Sequence, residues 1–322
     1  MKQVIGIGNA LVDALYRMDD DRMLDELALP KGSMQLIDTE RYHGICRRMA
    51  GAGGELATGG SAGNTILALA NLGARPALIG KIADDENGRL FEGNCRERGI
   101  TPRLLRDTLP TGVASTFISP DGQRTFATYL GAAARLVAGD VRPEWLEGYS
   151  YIYIEGYLVQ NHELMTSVVD QARAAGLKVC LDMASYNIVE ADRDFFAELL
   201  DKTDIVFANE QEAYAFTGKE PREALAMLAA RCETAVVKVG AEGAMAQRGD
   251  SFASVPAVPV RSVVDTTAAG DFFSAGFLYA RGAGRDLSAC LAAGAVLASE
   301  VIQIVGTRLD DATWQRLRAL VG

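Results

Sequence analysis

Short apolar runs alternate with segments whose apolar positions recur every three or four residues, and this rhythm holds along most of the chain. The runs predict strands at 3–7, 76–79, 151–154, 177–181, 205–207 and 235–239. The periodic segments predict helices at 61–72, 87–98, 163–175, 192–200 and 210–217, and a helical end at 270–280, 287–304 and 311–320. Strand and helix in regular alternation imply an α/β fold, a mostly parallel sheet covered by helices on both faces.

Two segments break the rhythm. Residues 14–38 gather acidic and turn-forming residues around LALPKGSMQLID. Residues 102–129 read as strand, turn, strand (TGVASTFI, SPDG, QRTFATY), the alternation of a β-hairpin. Neither suits a doubly wound layer. Together they predict a small β lid over one edge of the sheet, carried by a single domain spanning 1–322. Residues 144–148 and the PREAL stretch from Pro221 read as surface connections.

Composition narrows the function classes. A chain of 322 residues that is 49% hydrophobic can bury a large core. A net charge of −10 leaves no electrostatic footprint for nucleic acid or an anionic membrane. The five cysteines are odd in number, far apart and without a CxxC pair, which fits reduced thiols better than disulfides or zinc. With only His43 and His162, chemistry built on histidine has little to work with. The opening MKQVIGIGNALVD runs into Asp13 without a small-residue cleavage site, so it predicts a first strand rather than a signal peptide. No run approaches the ~20 apolar residues of a membrane helix, and a cytoplasmic protein is expected.

The strongest chemical signal is VVDTTAAGDFFSAGFL, residues 263–278. Asp265 and a hydroxyl residue precede Ala268, Ala269 and Gly270, and Asp271 then opens an apolar helix. Small residues at a helix start let backbone N–H groups approach an anion, which the helix dipole favours. A carboxylate just inside that helix end can take the proton of an attacking hydroxyl. Phosphoryl transfer needs both. A cap at Asp265 or Thr266 with Asp271 as an ordinary first-turn acid is the plain alternative.

On this run the chain resembles the ribokinase-like (PfkB) carbohydrate and nucleoside kinases, whose signature it matches from Asp265 to Asp271 and again at Ala275 and Gly276. The resemblance implies a three-layer α/β/α fold, ATP with Mg²⁺, and Asp271 as base beside the Ala268–Ala269–Gly270 turn. It continues along the chain. GNALVD implies Asn9 and Asp13 at substrate hydroxyls, and GGSAGNT implies close approach at Gly59 and Gly60 with Asn64 on the substrate. A dinucleotide fingerprint starting at Gly6 fails, because its third glycine falls at Leu11. In DIVFANEQEA the resemblance gives Asn209 and Glu212 an N-x-x-E role around magnesium-bound water and phosphate, although a helix cap explains Asn209 as well. VVKVGAEGA implies a loop along ATP with Lys238, Gly240 and Gly243, where a simple turn is the rival reading. It also implies a potassium-activated loop near Asp265 and Thr267.

The acceptor is open between two classes. For a nucleoside, the resemblance to adenosine kinases places Gln35 of KGSMQLID on the base, Arg124 of GQRTFATYLGAAARL over the transferring phosphate, and Tyr157 or Leu158 against the purine. For a sugar (ribose, fructose or 2-keto-3-deoxygluconate), Asn187 of DMASYNIV supplies a polar wall. A catalytically silent ligand-binding protein on the same fold is the remote alternative, opposed by the presence of Asp271. The expected partner is a small molecule, with a homodimer joined through the lid sheet as a further expectation.

Overall fold

A computed structural model describes residues 3–52 and 54–322. The strands in chain order are β1 Val4–Ile7, β2 Leu11–Arg17, β3 Met34–Leu36, β4 Glu55–Gly59, β5 Ala77–Ala83, β6 Thr101–Asp107 and β7 Gly112–Ile118. There follow β8 Arg124–Tyr129, β9 Tyr151–Glu155, β10 Lys178–Asp182, β11 Ile205–Asn209, β12 Thr234–Lys238, β13 Ala244–Arg248 and β14 Ser251–Val255. Nine of them form one sheet in the order β14-β13-β12-β11-β10-β9-β1-β5-β6, and five form a second in the order β3-β8-β7-β2-β4. The large sheet is parallel from β12 across to β6 and turns antiparallel only at β13 and β14.

β1 is the switch point. From it the chain builds outward through β5 and β6 on one side, then returns to add β9 and its successors on the other. Ligands of open parallel sheets bind at the carboxyl ends of the strands where the order reverses. Asn9 and Glu155 stand just there, beyond β1 and at the end of β9.

The second sheet carries the lid. β7 and β8 are the predicted hairpin, with Ala114 opposite Thr128. The strand at 101–107 is not part of it. It pairs in parallel with β5 and forms the edge of the large sheet, because its length and its direction after helix Glu86–Glu97 continue the crossover pattern. β2 and β4, on either side of the substrate motifs, join the lid sheet instead. One face of the lid covers a satellite core of Leu24, Tyr42, Ile45, Phe117 and Tyr129, where Tyr42 and Tyr129 stack at 4.4 Å.

The PREAL stretch is also corrected. It opens helix Pro221–Ala229, with proline at the first position, where its missing N–H costs nothing, and Ala224, Leu225 and Leu228 buried. Among the described residues no helix is long and apolar enough to cross a membrane.

Helix Ala269–Gly282 packs against helix Leu287–Val301 through small residues. A Cβ added at Gly276 would lie 2.4 Å from the Ala293 carbonyl, and one at Gly294 2.8 Å from that of Phe273. The small residues of the C-terminal signature therefore serve close packing of two helices, which fixes the direction of the helix that carries Asp271. Ile66 is accommodated by a glycine too: a Cβ on Gly6 would fall 2.5 Å from its side chain.

Candidate active site

Asp271 lies in the first turn of helix Ala269–Gly282 and is held by the helix that starts at Ser61. Ser61 Oγ donates to its Oδ1 at 2.7 Å and Asn64 Nδ2 to its Oδ2 at 2.9 Å, while Thr65 Oγ1 donates to its backbone carbonyl at 3.2 Å. Positions 61, 64 and 65 share one face of a helix start, so a single element presents all three donors. Burial pushes the Asp271 carboxyl up to about 7. Asn64, Ser61 and Lys238 pull against that, and Asp182 adds to it. The residue before the helix, Ala268, adopts a left-handed φ of 61°. Ala184, two residues beyond Asp182, does so at 66°. Non-glycine residues are strained there, and such strain concentrates at functional sites.

Gly59 and Gly60 lie at close approaches. A Cβ at Gly59 would fall within 2.4 Å of both Asp13 carboxylate oxygens, and one at Gly60, whose φ is 82°, would lie 2.2 Å from the Asn9 carbonyl. The GG pair is thus required where β4 crosses beneath Asn9 and Asp13. Burial raises the Asp13 carboxyl to about 7, with Arg124 lowering it and Asp265 raising it.

Beneath this floor lies a residue that the sequence reading missed. Glu155 is 1% exposed, and its Oε1 accepts from the backbone N of Asn9 at 3.1 Å and from Asn9 Nδ2 at 2.5 Å. Its Oε2 accepts from the backbone N of Ala62 at 3.0 Å. A Cβ at Gly8 would lie 2.3 Å from that same oxygen. Glu155 therefore ties the Asn9 loop to the helix start that holds Asp271. Its signal was an acid ending an otherwise apolar strand, YIYIE.

A second buried charge centre lies at Lys238, at the end of β12. Its Nζ lies 3.3 Å from Asp182 Oδ2 and 3.0 Å from where a Cβ on Gly270 would stand. Burial pulls the Lys238 ammonium down, but Asp182, Glu212 and Asp271 outweigh it and hold it above the usual lysine range. Asn209 and Glu212 form a reciprocal capping box: Asn209 Oδ1 accepts from the Glu212 backbone N at 2.8 Å, and Glu212 Oε2 accepts from that of Asn209 at 2.7 Å. Asn209 Nδ2 also donates to Glu212 Oε1 at 2.6 Å, so both carboxylate oxygens are engaged. Glu212, raised to about 7 by burial, is therefore a buried carboxyl with each oxygen accepting one hydrogen bond from Asn209. Gly240 and Gly243 shape the turn from β12 to β13. Gly243, with φ 101°, passes under β14, where a Cβ would meet the Val255 carbonyl at 2.1 Å.

Two predicted site residues stand elsewhere. The lid register aligns Ala57, Asp13, Ala114, Thr128 and Leu36 in one row, so these side chains share a face. Gln35 pairs with Ala127 and falls on the opposite face, which covers the satellite core. The pleat, with its period of two, puts Met34 and Leu36 on the face that carries Asp13 instead. Asn187 is exposed on the short helix Tyr186–Ala191, with its Oδ1 accepting from Ser185 Oγ, outside the buried cluster. Tyr157 stays near it: burial, then Glu155 and Asp271 among other carboxylates, push its phenol up. Leu158 is buried behind it.

Known proteins share this fold. A probable sugar kinase from Rhizobium etli superposes with a TM-score of 0.88 at 34% identity over 99% of both chains. The adenosine kinase from Sinorhizobium meliloti does so with a TM-score of 0.87 at 37% identity over 98% of both. An uncharacterized sugar kinase from Archaeoglobus fulgidus is 27% identical over 252 residues, 75% of this chain and 97% of its own. The family model for pfkB carbohydrate kinases matches residues 33–314, a span that runs from the lid through the Asp271 turn to the last helix. With Asp271 held by Ser61 and Asn64 inside that span, this chain belongs to the pfkB family of carbohydrate kinases.

Proposed function

We propose that the chain transfers the γ-phosphoryl group of ATP to the 5′-hydroxymethyl group of a nucleoside, with adenosine as the leading acceptor. The observation that carries the chemistry is Asp271, a carboxylate with a pKa near 7 at a small-residue helix start. Its carboxylate takes the hydroxyl proton, the acceptor oxygen bonds to the γ-phosphorus, and the bond to the β-bridging oxygen breaks to release ADP. The first-turn N–H groups and Lys238 face the charge that develops on the phosphoryl oxygens.

Mg²⁺ would neutralise phosphate charge when bound with the nucleotide. Among the described residues no three acidic, His or Cys side chains are grouped to hold a metal. Asp182, Glu212 and Asp271 all act on the Lys238 ammonium, so acidic groups outnumber it there, which suits a divalent ion arriving with ATP.

The lid supports a nucleoside. Met34 and Leu36 are 47% and 50% exposed on the face that carries Asp13, and Phe126 stands in the same row as Met34. An apolar roof of this kind matches the flat face of a base, whereas a free sugar offers hydroxyls. The sugar-kinase reading draws on the Rhizobium and Archaeoglobus relatives. A product assay with adenosine, inosine, guanosine, ribose, fructose and 2-keto-3-deoxygluconate decides between them. The highest kcat/KM on a nucleoside is expected, and turnover of sugars alone would reject it.

Two expectations accompany this assignment. Leu36→Ser is expected to raise KM for adenosine about tenfold through lost apolar contact. Gln35→Ala, on the far face, should leave it within about twofold on the same account, and steady-state kinetics on both variants checks the pleat argument. The pH dependence follows from Asp271, because a base works only when deprotonated. kcat/KM is expected to fall below pH about 7 and to level off above it. Because Asp13 titrates in the same range, the acidic limb should be steeper than that of a single proton. A flat profile from pH 5 to 9 would contradict it.

A further inference from the structure

The residues expected to hold potassium, Asp265 and Thr267, are already engaged. Asp265 Oδ1 accepts from the backbone N of Thr267 at 3.0 Å, and Oδ2 accepts from that of Gly306 at 2.8 Å. Arg124 Nη2 also sits 2.8 Å from Oδ2, and Arg124 Nη1 donates to Thr267 Oγ1 at 3.3 Å. The ion pair is deeply buried, with side chains 11% and 2% exposed. A cation added at this carboxylate would compete with a guanidinium and two backbone N–H groups, so the site does not fit a monovalent ion.

We infer that Arg124 is a tethered counter-ion: its guanidinium does for the Asp265 loop what a bound monovalent cation would otherwise do. The inference rests on the kinase reading above and deepens it. Asp265 begins the loop that leads through Ala268 to the catalytic helix, and a buried, unpaired carboxylate there would repel the incoming polyphosphate. Arg124 cancels that charge while its hydrogen bond to Thr267 steadies the loop.

The counter-ion is delivered from the lid. Arg124 pairs with Ile118 and Ile118 with Arg17, on the same sheet face as Asp13. One guanidinium is thus shared electrostatically by Asp13 on the acceptor side and Asp265 on the phosphate side. Closing the lid over the acceptor and neutralising the phosphate loop become one event. A freely diffusing cation would not couple the two.

The experiment compares wild-type protein, Arg124→Ala and Arg124→Lys in KCl, NaCl and tetramethylammonium chloride at equal ionic strength, with Mg²⁺ and ATP constant. Wild-type kcat and melting temperature are expected to agree within about twofold and one degree across the salts, and Arg124→Lys should share that indifference. Arg124→Ala should lose activity and regain about tenfold in KCl or in millimolar guanidinium chloride, with a melting temperature that rises in those salts only. A wild-type enzyme activated tenfold or more by K⁺ overturns the inference. So does an Arg124→Ala protein whose melting temperature and activity ignore every cation. Phosphorylated product in any of the salts keeps the kinase assignment separate from both outcomes.

Discussion

Asp271→Asn lowers kcat by about 10²–10⁴ while leaving ATP and acceptor binding within a few-fold, the range expected when a general base is removed and its shape kept. The geometry explains why binding survives. The substituted amide can still accept from Ser61 or Asn64 through its carbonyl oxygen, so the helix start at Ser61 keeps most of its hold on the catalytic helix. The amide nitrogen presents donors where a lone pair had faced a donor, and this costs stability on the order of 1–3 kcal/mol. Proton uptake is what disappears. The variant should therefore also lose the acidic limb that Asp271 contributes to the pH profile, leaving the limb of Asp13 alone. Turnover within tenfold of wild type, measured by ADP release with saturating substrates, would remove Asp271 from the mechanism.

What the sequence revealed and what it hid follow one division. Features that depend on local spacing were readable: the small residues before Asp271, the Gly59–Gly60 pair, and the Asn209–Glu212 box, all set within a turn or two of backbone. The short apolar runs gave the large sheet, because parallel strands buried on both faces are continuous apolar runs. Features that depend on which partner a strand takes were not readable. Strand 101–107, TPRLLRD, has no apolar run to mark it as a strand of the large sheet, and only its pairing with β5 separates it from the hairpin after it. Gln35 was misplaced for a related reason: a three-residue strand carries no pattern long enough to tell its two faces apart, and a register of one decides everything. Asp182 was inside a quoted segment and Glu155 directly followed a predicted strand, yet their importance arises from neighbours far away in sequence.

Glu155→Ala should be the most damaging change outside the catalytic turn. The carboxylate satisfies three N–H groups at once, two from Asn9 and one from Ala62, in a place that is 1% exposed. Its removal leaves those donors without partners, each at a cost of about 1–3 kcal/mol unless water enters. The negative charge also sits at the start of helix Ser61–Asn71, where it complements the dipole, and that contribution is lost as well. A fall of several degrees in melting temperature follows, with a loss in kcat/KM of about tenfold to a hundredfold as Asn9 and the Ser61 turn drift apart. Glu155→Gln separates geometry from folding. Its carbonyl can still accept from Asn9, but its amide would oppose the Ala62 N–H, donor against donor. A positioning role predicts that the Glu155→Gln protein keeps most of the melting temperature yet raises KM for the acceptor more than KM for ATP, because Asn9 belongs to the proposed acceptor side. Equal rises in both constants, or a Glu155→Gln protein with wild-type kinetics, would show that Glu155 only stabilises the fold.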